Sequence, residues 1–320
     1  MINTNYGPIF TQGSSFRARA EAVQRQYRSE VLNADYYKYG HLLDEKAAWE
    51  KRANFASDIA FEKAIDRYKK GKGVSKRTFV NMLSSQAMCF NIFAPLAANL
   101  ELASSVFRCI IPLIAAISSI EFEYTPPKDI FEDQSKISGV DCDLLVKGTT
   151  INGSTIIIVI ETKFVEPDFS SCGFKAVCQA DDAEIKKEDN DCLYWKRKGY
   201  LYWKRTWEAS SLKPSALHNK GCPFRGSLWQ LWVNHTLAKT IALRQKPSSS
   251  IFAICSPENN KSLMGPLGKD KLDNFRQLLA EPDSVMHIGV NHLISVIGKT
   301  VKSSLDKKWY EQLAERYSEI

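Results

Sequence analysis

The central part of the chain reads VDCDLLVKGTTINGSTIIIVIETK, residues 140–163, and its pattern is typical of two paired strands. Five consecutive β-branched residues, Ile156–Ile160, form an apolar run of strand length. Such a run predicts a central strand that is covered on both faces. Because strand side chains alternate between faces, Glu161 and Lys163 at its end are expected to project to one side and Thr162 to the other. An acid and a cation therefore share one face.

The turn between these strands determines which carboxylates meet. A two-residue turn at Asn152-Gly153 would place Asp143 and Glu161 on opposite faces of the sheet. A three-residue loop over residues 151–153, closed by a left-handed glycine, instead pairs Thr150 with Ser154. In that register Asp143 faces Glu161, and Asp141 faces Lys163.

This second register predicts a metal site. Carboxylates that converge on one patch repel one another unless a cation neutralises them. Hard oxygen ligands of this kind suit Mg²⁺ or Mn²⁺. The same charges would also fit ordinary strand ends at the rim of a sheet.

The pattern of Asp143, a hairpin-length gap and Glu161-x-Lys163 resembles the PD-(D/E)XK nuclease superfamily. The resemblance implies an α/β, restriction-endonuclease-like fold, in which helices flank a mixed central sheet. An apolar segment that ends at residues 121–126 resembles the strand before the motif aspartate. Gln230, in Leu228-Trp229-Gln230-Leu231-Trp232, resembles the helical glutamine of the RecB-like branch, although the tyrosine expected after it is absent.

The resemblance also implies roles for these residues. Asp143 and Glu161 would hold Mg²⁺ or Mn²⁺, and Lys163 would position or activate the attacking water. Asp141 and Glu123 are further candidate ligands. Glu121 would lie on the same strand face as Glu123, so the sequence does not choose between them. Gln230 would help to orient the site or the substrate.

Composition is compatible with this interpretation. The chain has 320 residues and a net charge of +7, an excess that suits a polyanionic partner, and DNA is the substrate that the resemblance implies. The N-terminus lacks the features of a secretory signal, so we expect a soluble cytoplasmic protein. The histidines show no metal-binding or catalytic spacing.

The chain order predicts a helical N-terminal region, 1–80, and a nuclease-like domain, 81–320, with a cysteine-containing insertion, 172–222. Helices are expected in the ranges 14–72, 75–88, 96–107, 228–244, 269–280 and 306–317. Strands are expected over 250–255 and 285–290.

Four of the eight cysteines lie in the insertion, at Cys172, Cys178, Cys192 and Cys222. Their number matches a tetrahedral Zn²⁺ ion or a [4Fe–4S] cluster, although their spacing is loose. The alternative is that they are buried free thiols that pack as small apolar groups.

The same insertion contains Tyr-Trp-Lys-Arg twice, at residues 194–197 and 202–205. Its cations would neutralise phosphates and its rings would stack on bases, which makes Lys196, Arg197, Lys204 and Arg205 candidate nucleic-acid-binding residues. The alternative is an aromatic edge of the core with solvated cations. Two rival functions also stay open, a nucleic-acid-binding protein without cleavage and an interaction module stapled by zinc or an iron–sulfur cluster.

Overall fold

A computed structural model of the protein describes residues 6–71, 73–133, 140–178, 191–217, 222–245, 248–266 and 269–320. The described residues form a five-stranded mixed sheet in the order β1-β2-β3-β4-β5. The strands are β1 (Ile114–Tyr124), β2 (Cys142–Thr150), β3 (Thr155–Thr162), β4 (Ser248–Ser256) and β5 (Val285–Gly289). Strands β1, β2 and β3 are antiparallel neighbours, whereas β4 and β5 are parallel to β3. The predicted α/β fold is confirmed.

Helices cover both faces of this sheet. They are α1 (Ser15–Glu30), α2 (Asp58–Lys69), α3 (Lys76–Val80), α4 (Ser85–Ala98), α5 (Leu100–Ile110), α6 (Lys128–Phe131), α7 (Leu193–Lys198), α8 (Tyr202–Glu208), α9 (Leu228–Leu243), α10 (Lys261–Met264), α11 (Asp270–Leu278), α12 (Val290–Thr300) and α13 (Ser304–Tyr317). On one face of β3, Ile156, Ile158 and Ile160 pack with α4, α5, α12 and α13. On the other face, Ile157 and Val159 pack with α8, α9 and α11.

The hairpin between β2 and β3 has the predicted three-residue loop. Leu144 pairs with Ile160, and the Thr150 N–H donates to the Ser154 carbonyl at 2.8 Å. Gly153 has a φ of 77°, in the left-handed region that glycine adopts at little cost. All of Ile156–Ile160 are fully buried, as expected for a central strand.

The N-terminal region is less regular than the sequence predicts. Ser14 caps α1, since its hydroxyl accepts the Arg17 N–H at 3.2 Å, but the helix ends at Glu30 and the next α-helix, α2, begins at Asp58. The predicted helix over 75–88 is wrong, because the chain leaves α3 at Val80 and a new helix, α4, begins at Ser85. The helix is interrupted because a residue distant in sequence binds main-chain carbonyls of this segment.

That contact is made by Asn54, which is fully buried. Its side-chain amide donates to the carbonyls of Thr78 at 2.7 Å and Asn81 at 3.0 Å, while Asn81 itself is extended. Asn54 is in turn bonded by Arg316 of α13, whose guanidinium donates to the Asn54 carbonyl at 2.7 Å and to its side-chain oxygen at 2.6 Å. Asn54 and helix α13 thereby hold the segment between α3 and α4 in place beside the sheet.

The later elements match the predicted ones closely. Strands β4 and β5 and helices α9, α11 and α13 each lie within a few residues of the expected bounds. Helix α5 begins at Leu100, later than expected, because α4 continues past Pro95 and Asn99 caps the new helix by accepting the Leu102 N–H at 3.1 Å.

No single helix within the described ranges has the length and apolar character needed to cross a membrane. The consecutive helices α4 and α5 reach that length only as a pair, and they bend by 118° at their junction. Most of α4 is buried in the core beside the sheet.

Candidate active site

The ends of β2 and β3 bring Asp143, Glu161 and Lys163 together. The register in which Leu144 pairs with Ile160 puts Asp143 beside Glu161 on the neighbouring strand. The Lys163 ammonium lies 2.8 Å from Glu161 Oε1, and Asp143 Oδ2 accepts the Thr162 N–H at 2.6 Å. Glu161 is only 5% exposed, so this ion pair is largely shielded from water.

Helix α9 supports Glu161 from the other side. Gln230 Nε2 donates to Glu161 Oε1 at 2.7 Å, and Asn234 Nδ2 donates to Oε2 at 2.9 Å. The two amides lie one helical turn apart, so both face the same strand end. The Gln230 side-chain oxygen also accepts the Ser170 N–H at 3.0 Å, which fixes the orientation of its amide.

The electrostatics of the cluster are those of crowded carboxylates beside one cation. Burial raises the pKa of Asp143 well above its usual value, and the charges of Glu161 and Glu123 raise it further. Burial lowers the pKa of Lys163, but Glu161 and Asp143 outweigh it, so that the Lys163 pKa lies above its usual value. Lys163 therefore stays protonated in this arrangement.

Of the two candidate glutamates on β1, the structure brings Glu123 to the site. Glu123 has a φ of 47°, which takes it out of the strand alternation, and it is buried where Glu121 is exposed. Gln86 donates to Glu123 Oε1 at 2.8 Å, and Arg67 binds its main-chain carbonyl. Burial and, less strongly, Glu161 raise the pKa of Glu123 to about 7. Glu121 pairs instead with Lys147 at 3.3 Å.

A polar pocket of about 290 Å³ opens over this cluster. One wall consists of strand-end residues and the loop after β3, namely Asp143, Glu161, Thr162, Lys163 and Glu166. The facing wall comes from α3 and the start of α4, namely Ser75, Arg77, Ser84, Ser85 and Gln86. Ser85 and Glu166 join the walls through a hydrogen bond of 2.8 Å.

Sequence reasoning missed Glu166 and Arg77. Glu166 follows the motif lysine by three residues, so its closeness in the chain was an available signal. Arg77 lies far from the motif in sequence, and nothing local distinguishes it from the other cations of the N-terminal region. Asp141 is exposed, and its charge contributes to the raised pKa of Glu123.

The donor set fits a divalent cation of the magnesium type. Within the described ranges, no group of three or more His, Cys, Asp or Glu side chains is arranged to hold a metal ion. Mg²⁺ does not need such a group, because it is commonly bound through one or two carboxylates and retains several waters. Asp143 and Glu161 supply two hard oxygen donors at the wall of a polar pocket, where their mutual repulsion favours a bound cation.

The four cysteines of the insertion are partly buried and close enough for their charges to interact, but within the described ranges they are not arranged to hold a metal ion. Burial raises the pKa of Cys222 to about 12, and Cys192, Cys172 and Cys178 add to the shift. Three of them, Cys172, Cys192 and Cys222, pack against the aromatic core on the α9 side of the sheet. A zinc ion or iron–sulfur cluster at these thiols stays a prediction.

The aromatic rings of the repeated Tyr-Trp-Lys-Arg segment lie mainly in the core. Tyr202 and Trp203 are 1% and 2% exposed, so they do not form a stacking surface. Arg205 donates to the main-chain carbonyls of Ile130 at 2.6 Å and Asp129 at 2.7 Å, which fastens α8 to α6. Among the other cations, Lys196 pairs with Asp191, whereas Arg197 and Lys204 are exposed. Their contact with nucleic acid stays a prediction.

Comparison with known proteins adds one finding. A family model of the PD-(D/E)XK nuclease superfamily matches residues 11–188, more than half of the chain. The matched range includes β1, β2, β3 and the helices before them, and it ends before α9. No curated protein and no solved structure matches the chain.

Proposed function

Because the chain belongs to the PD-(D/E)XK nuclease superfamily, we propose that it is a metal-dependent nuclease that hydrolyses phosphodiester bonds of DNA. The superfamily implies nuclease activity in general. The proposal for this chain rests above all on one observation: Asp143, Glu161 and Lys163 meet at the wall of one polar pocket, with Lys163 Nζ 2.8 Å from Glu161. A purely structural rim of charges would not need a polar pocket of about 290 Å³ in front of it.

Asp143 and Glu161 are the proposed ligands of Mg²⁺ or Mn²⁺. When bound, the cation lowers the pKa of a water and takes up negative charge on the phosphate. Glu161 is held in one orientation by three donors, Lys163, Gln230 and Asn234. Asp143 uses Oδ2 to accept the Thr162 N–H and retains its second oxygen for a ligand. Glu123 and Asp141 are further carboxylates near this centre, and their negative charge also favours a bound cation.

Lys163 is proposed to act through its charge. Its ammonium lies 2.8 Å from Glu161 Oε1, so it contacts one proposed ligand and is placed to position or activate the attacking water. A fixed cation is worth most where charge develops in the transition state, and the pentavalent phosphate carries more negative charge than the ground state. Gln230 acts through Glu161 and is a positioning residue.

DNA is the proposed substrate because it is a polyanion and the protein is basic, with a net charge of +7. Superfamily membership implies a nucleic-acid substrate in general. RNA is the competing substrate of the same charge, and cleavage of an RNA oligonucleotide in place of the plasmid would identify it.

The test is metal-dependent nicking of supercoiled plasmid by the purified protein, with Mg²⁺, Mn²⁺, Ca²⁺ or EDTA. We expect nicking with Mg²⁺ or Mn²⁺ and none with EDTA. The variants Asp143→Asn and Glu161→Gln should be inactive, because each replaces a charged ligand with an amide of the same shape. Glu121→Gln is the matched control, since it removes a strand carboxylate that lies outside the pocket and pairs with Lys147.

Two other outcomes would contradict the proposal. Nicking that is equal in all four proteins would come from a contaminant and would refute the proposal. Tight DNA binding without cleavage would identify a binding protein that retains the fold.

A zinc ion or [4Fe–4S] cluster at Cys172, Cys178, Cys192 and Cys222 is a separate proposal with a structural role. Binding would require the thiols to lose their protons, and burial opposes this, so the metal would have to supply the compensating charge. Elemental analysis of the purified protein tests it.

A further inference from the structure

Arg77 stands on the pocket wall that faces the carboxylates. It belongs to α3, and the backbone around it is held firmly. The buried Asn54 amide donates to the carbonyl of the next residue, Thr78, at 2.7 Å. The Thr78 hydroxyl is bonded to Gln86 at 2.6 Å, and Gln86 lines the same pocket. The backbone at Arg77 is therefore held beside the pocket that its side chain lines.

The Arg77 guanidinium is not engaged by the part of the chain that the structure describes. Among the described residues, none forms an ion pair or hydrogen bond with its guanidinium, although the pocket contains three carboxylates. The other pocket cation, Lys163, is already paired with Glu161 at 2.8 Å. Burial lowers the pKa of the nearby Arg17, and the charge of Arg77 lowers it further, so the two guanidinium groups repel each other.

We infer that Arg77 binds a phosphate of the nucleic-acid backbone across the pocket from Asp143 and Glu161. The inference rests on the nuclease function proposed above and deepens it. Two carboxylates repel an approaching phosphodiester. Positive charge is therefore needed on the far side of the phosphodiester as well as at the carboxylates. Arg77 supplies that charge from α3, outside the sheet that carries the motif.

The guanidinium suits this task better than an ammonium group. It presents a planar pair of N–H donors that matches two phosphate oxygens, whereas lysine offers a single point charge. The Ser75 hydroxyl lines the same wall and has no hydrogen-bond partner among the described residues, so it adds a donor beside Arg77.

Lys76 provides a matched control. It is the neighbouring residue on the same short helix, and its loss changes the net charge by the same amount. Its ammonium pairs with Glu45, and it does not line the pocket.

The experiment compares Arg77→Ala, Arg77→Lys and Lys76→Ala with the wild type in two assays. The first measures kcat and KM for cleavage of a DNA oligonucleotide with Mg²⁺. The second measures binding of the same fluorescein-labelled oligonucleotide by anisotropy, with Ca²⁺ in place of Mg²⁺. The melting temperature of each variant is recorded, and because the Arg77 side chain is exposed we expect it to be unchanged.

Arg77→Ala should lower kcat/KM and oligonucleotide affinity by about 10- to 100-fold, the usual effect of removing a charge-assisted hydrogen bond. Arg77→Lys should recover part of the loss, since it restores charge without the paired donors. The salt dependence of binding should fall by about one phosphate contact in Arg77→Ala. Lys76→Ala should stay within about threefold of the wild type in both assays, because its charge is already paired.

The two assays separate failure of this inference from failure of the proposed function. If the wild type cleaves and Arg77→Ala behaves like Lys76→Ala, the inference is wrong and the nuclease function stands. If the wild type binds DNA through Arg77 but does not cleave it, the inference stands and the nuclease function is wrong. A wild type that neither binds nor cleaves overturns both.

Discussion

Replacing Glu161 or Asp143 by alanine should abolish the same activity, but only the Glu161 replacement should clearly lower the stability. Glu161 is 5% exposed and accepts hydrogen bonds from three donors, one of which is the charged Lys163. A neutral hydrogen bond contributes about 1 kcal/mol and a charged one about 2 kcal/mol, and buried donors left without acceptors cost more. Relief of repulsion with Asp143 offsets part of this loss. We expect Glu161→Ala to lower the free energy of unfolding by about 2–4 kcal/mol.

Asp143 has a different balance. It accepts one N–H, from Thr162, and its pKa is raised by burial and by the charges of Glu161 and Glu123. An acid whose pKa is raised by folding stabilises the protein below its unfolded pKa, and this contribution is lost as the pH rises through the folded pKa. Without metal, ionisation of Asp143 therefore opposes folding. Asp143→Ala should change the free energy of unfolding by less than about 1 kcal/mol, or raise it.

The assay is urea denaturation in EDTA at pH 8, followed by tryptophan fluorescence, together with plasmid nicking in Mg²⁺. Glu121→Ala is the control, because Glu121 is a strand carboxylate that is 46% exposed and pairs with Lys147. We expect its stability to stay close to that of the wild type. If Glu161→Ala were as stable as Asp143→Ala, the three hydrogen bonds would not support Glu161 as described. Full nicking activity in either variant would falsify the proposed metal site.

Four further outcomes are expected. Lys163→Ala should retain Mn²⁺ binding by calorimetry but lose about 10²-fold or more in single-turnover cleavage, because it acts on transition-state charge; weakened Mn²⁺ binding with unchanged turnover would contradict this. Burial raises the pKa of Glu123 to about 7, so without metal its ionisation should cost the wild type up to about 3 kcal/mol of stability between pH 4.5 and 8. Glu123→Gln should lose less stability over this range, and Glu121→Gln should behave like the wild type. If the four cysteines bind metal, the protein should contain about one zinc or several irons per chain, and the Cys222→Ser variant should melt at a lower temperature. A colourless, zinc-free protein whose Cys222→Ser variant is equally stable would show that the thiols are free. Lys204→Ala should weaken DNA binding and reduce its salt dependence, and an unchanged salt slope would exclude that surface.

The central hairpin and the motif could be predicted from the amino-acid sequence. Alternation along β3 and the left-handed preference of Gly153 are local properties, and with a three-residue loop they give the register in which Asp143 and Glu161 meet. The continuous burial of Ile156–Ile160 is equally local, because an apolar run without alternation has to be covered on both faces. The mixed α/β architecture was implied by the resemblance of this motif to the PD-(D/E)XK superfamily, and the sheet confirms it.

The composition of the pocket was decided by contacts between distant residues. Strand alternation made Glu121 and Glu123 equivalent, but a left-handed backbone at Glu123, with bonds from Gln86 and Arg67, brings that residue alone to the site. Arg77 reaches the pocket because the side chain of Asn54 ends α3 and holds it there.

The role of the repeated Tyr-Trp-Lys-Arg segment was likewise not decided by the sequence. Its alternation of rings and cations fits a nucleic-acid surface and a core edge equally well. Only packing against α9 and the sheet put Tyr202 and Trp203 inside the protein and tied Arg205 to main-chain carbonyls of α6. Backbone preference and burial periodicity act between neighbours in the chain, whereas the choice among equivalent side chains depends on the free energy of contacts that form only when the whole chain has folded.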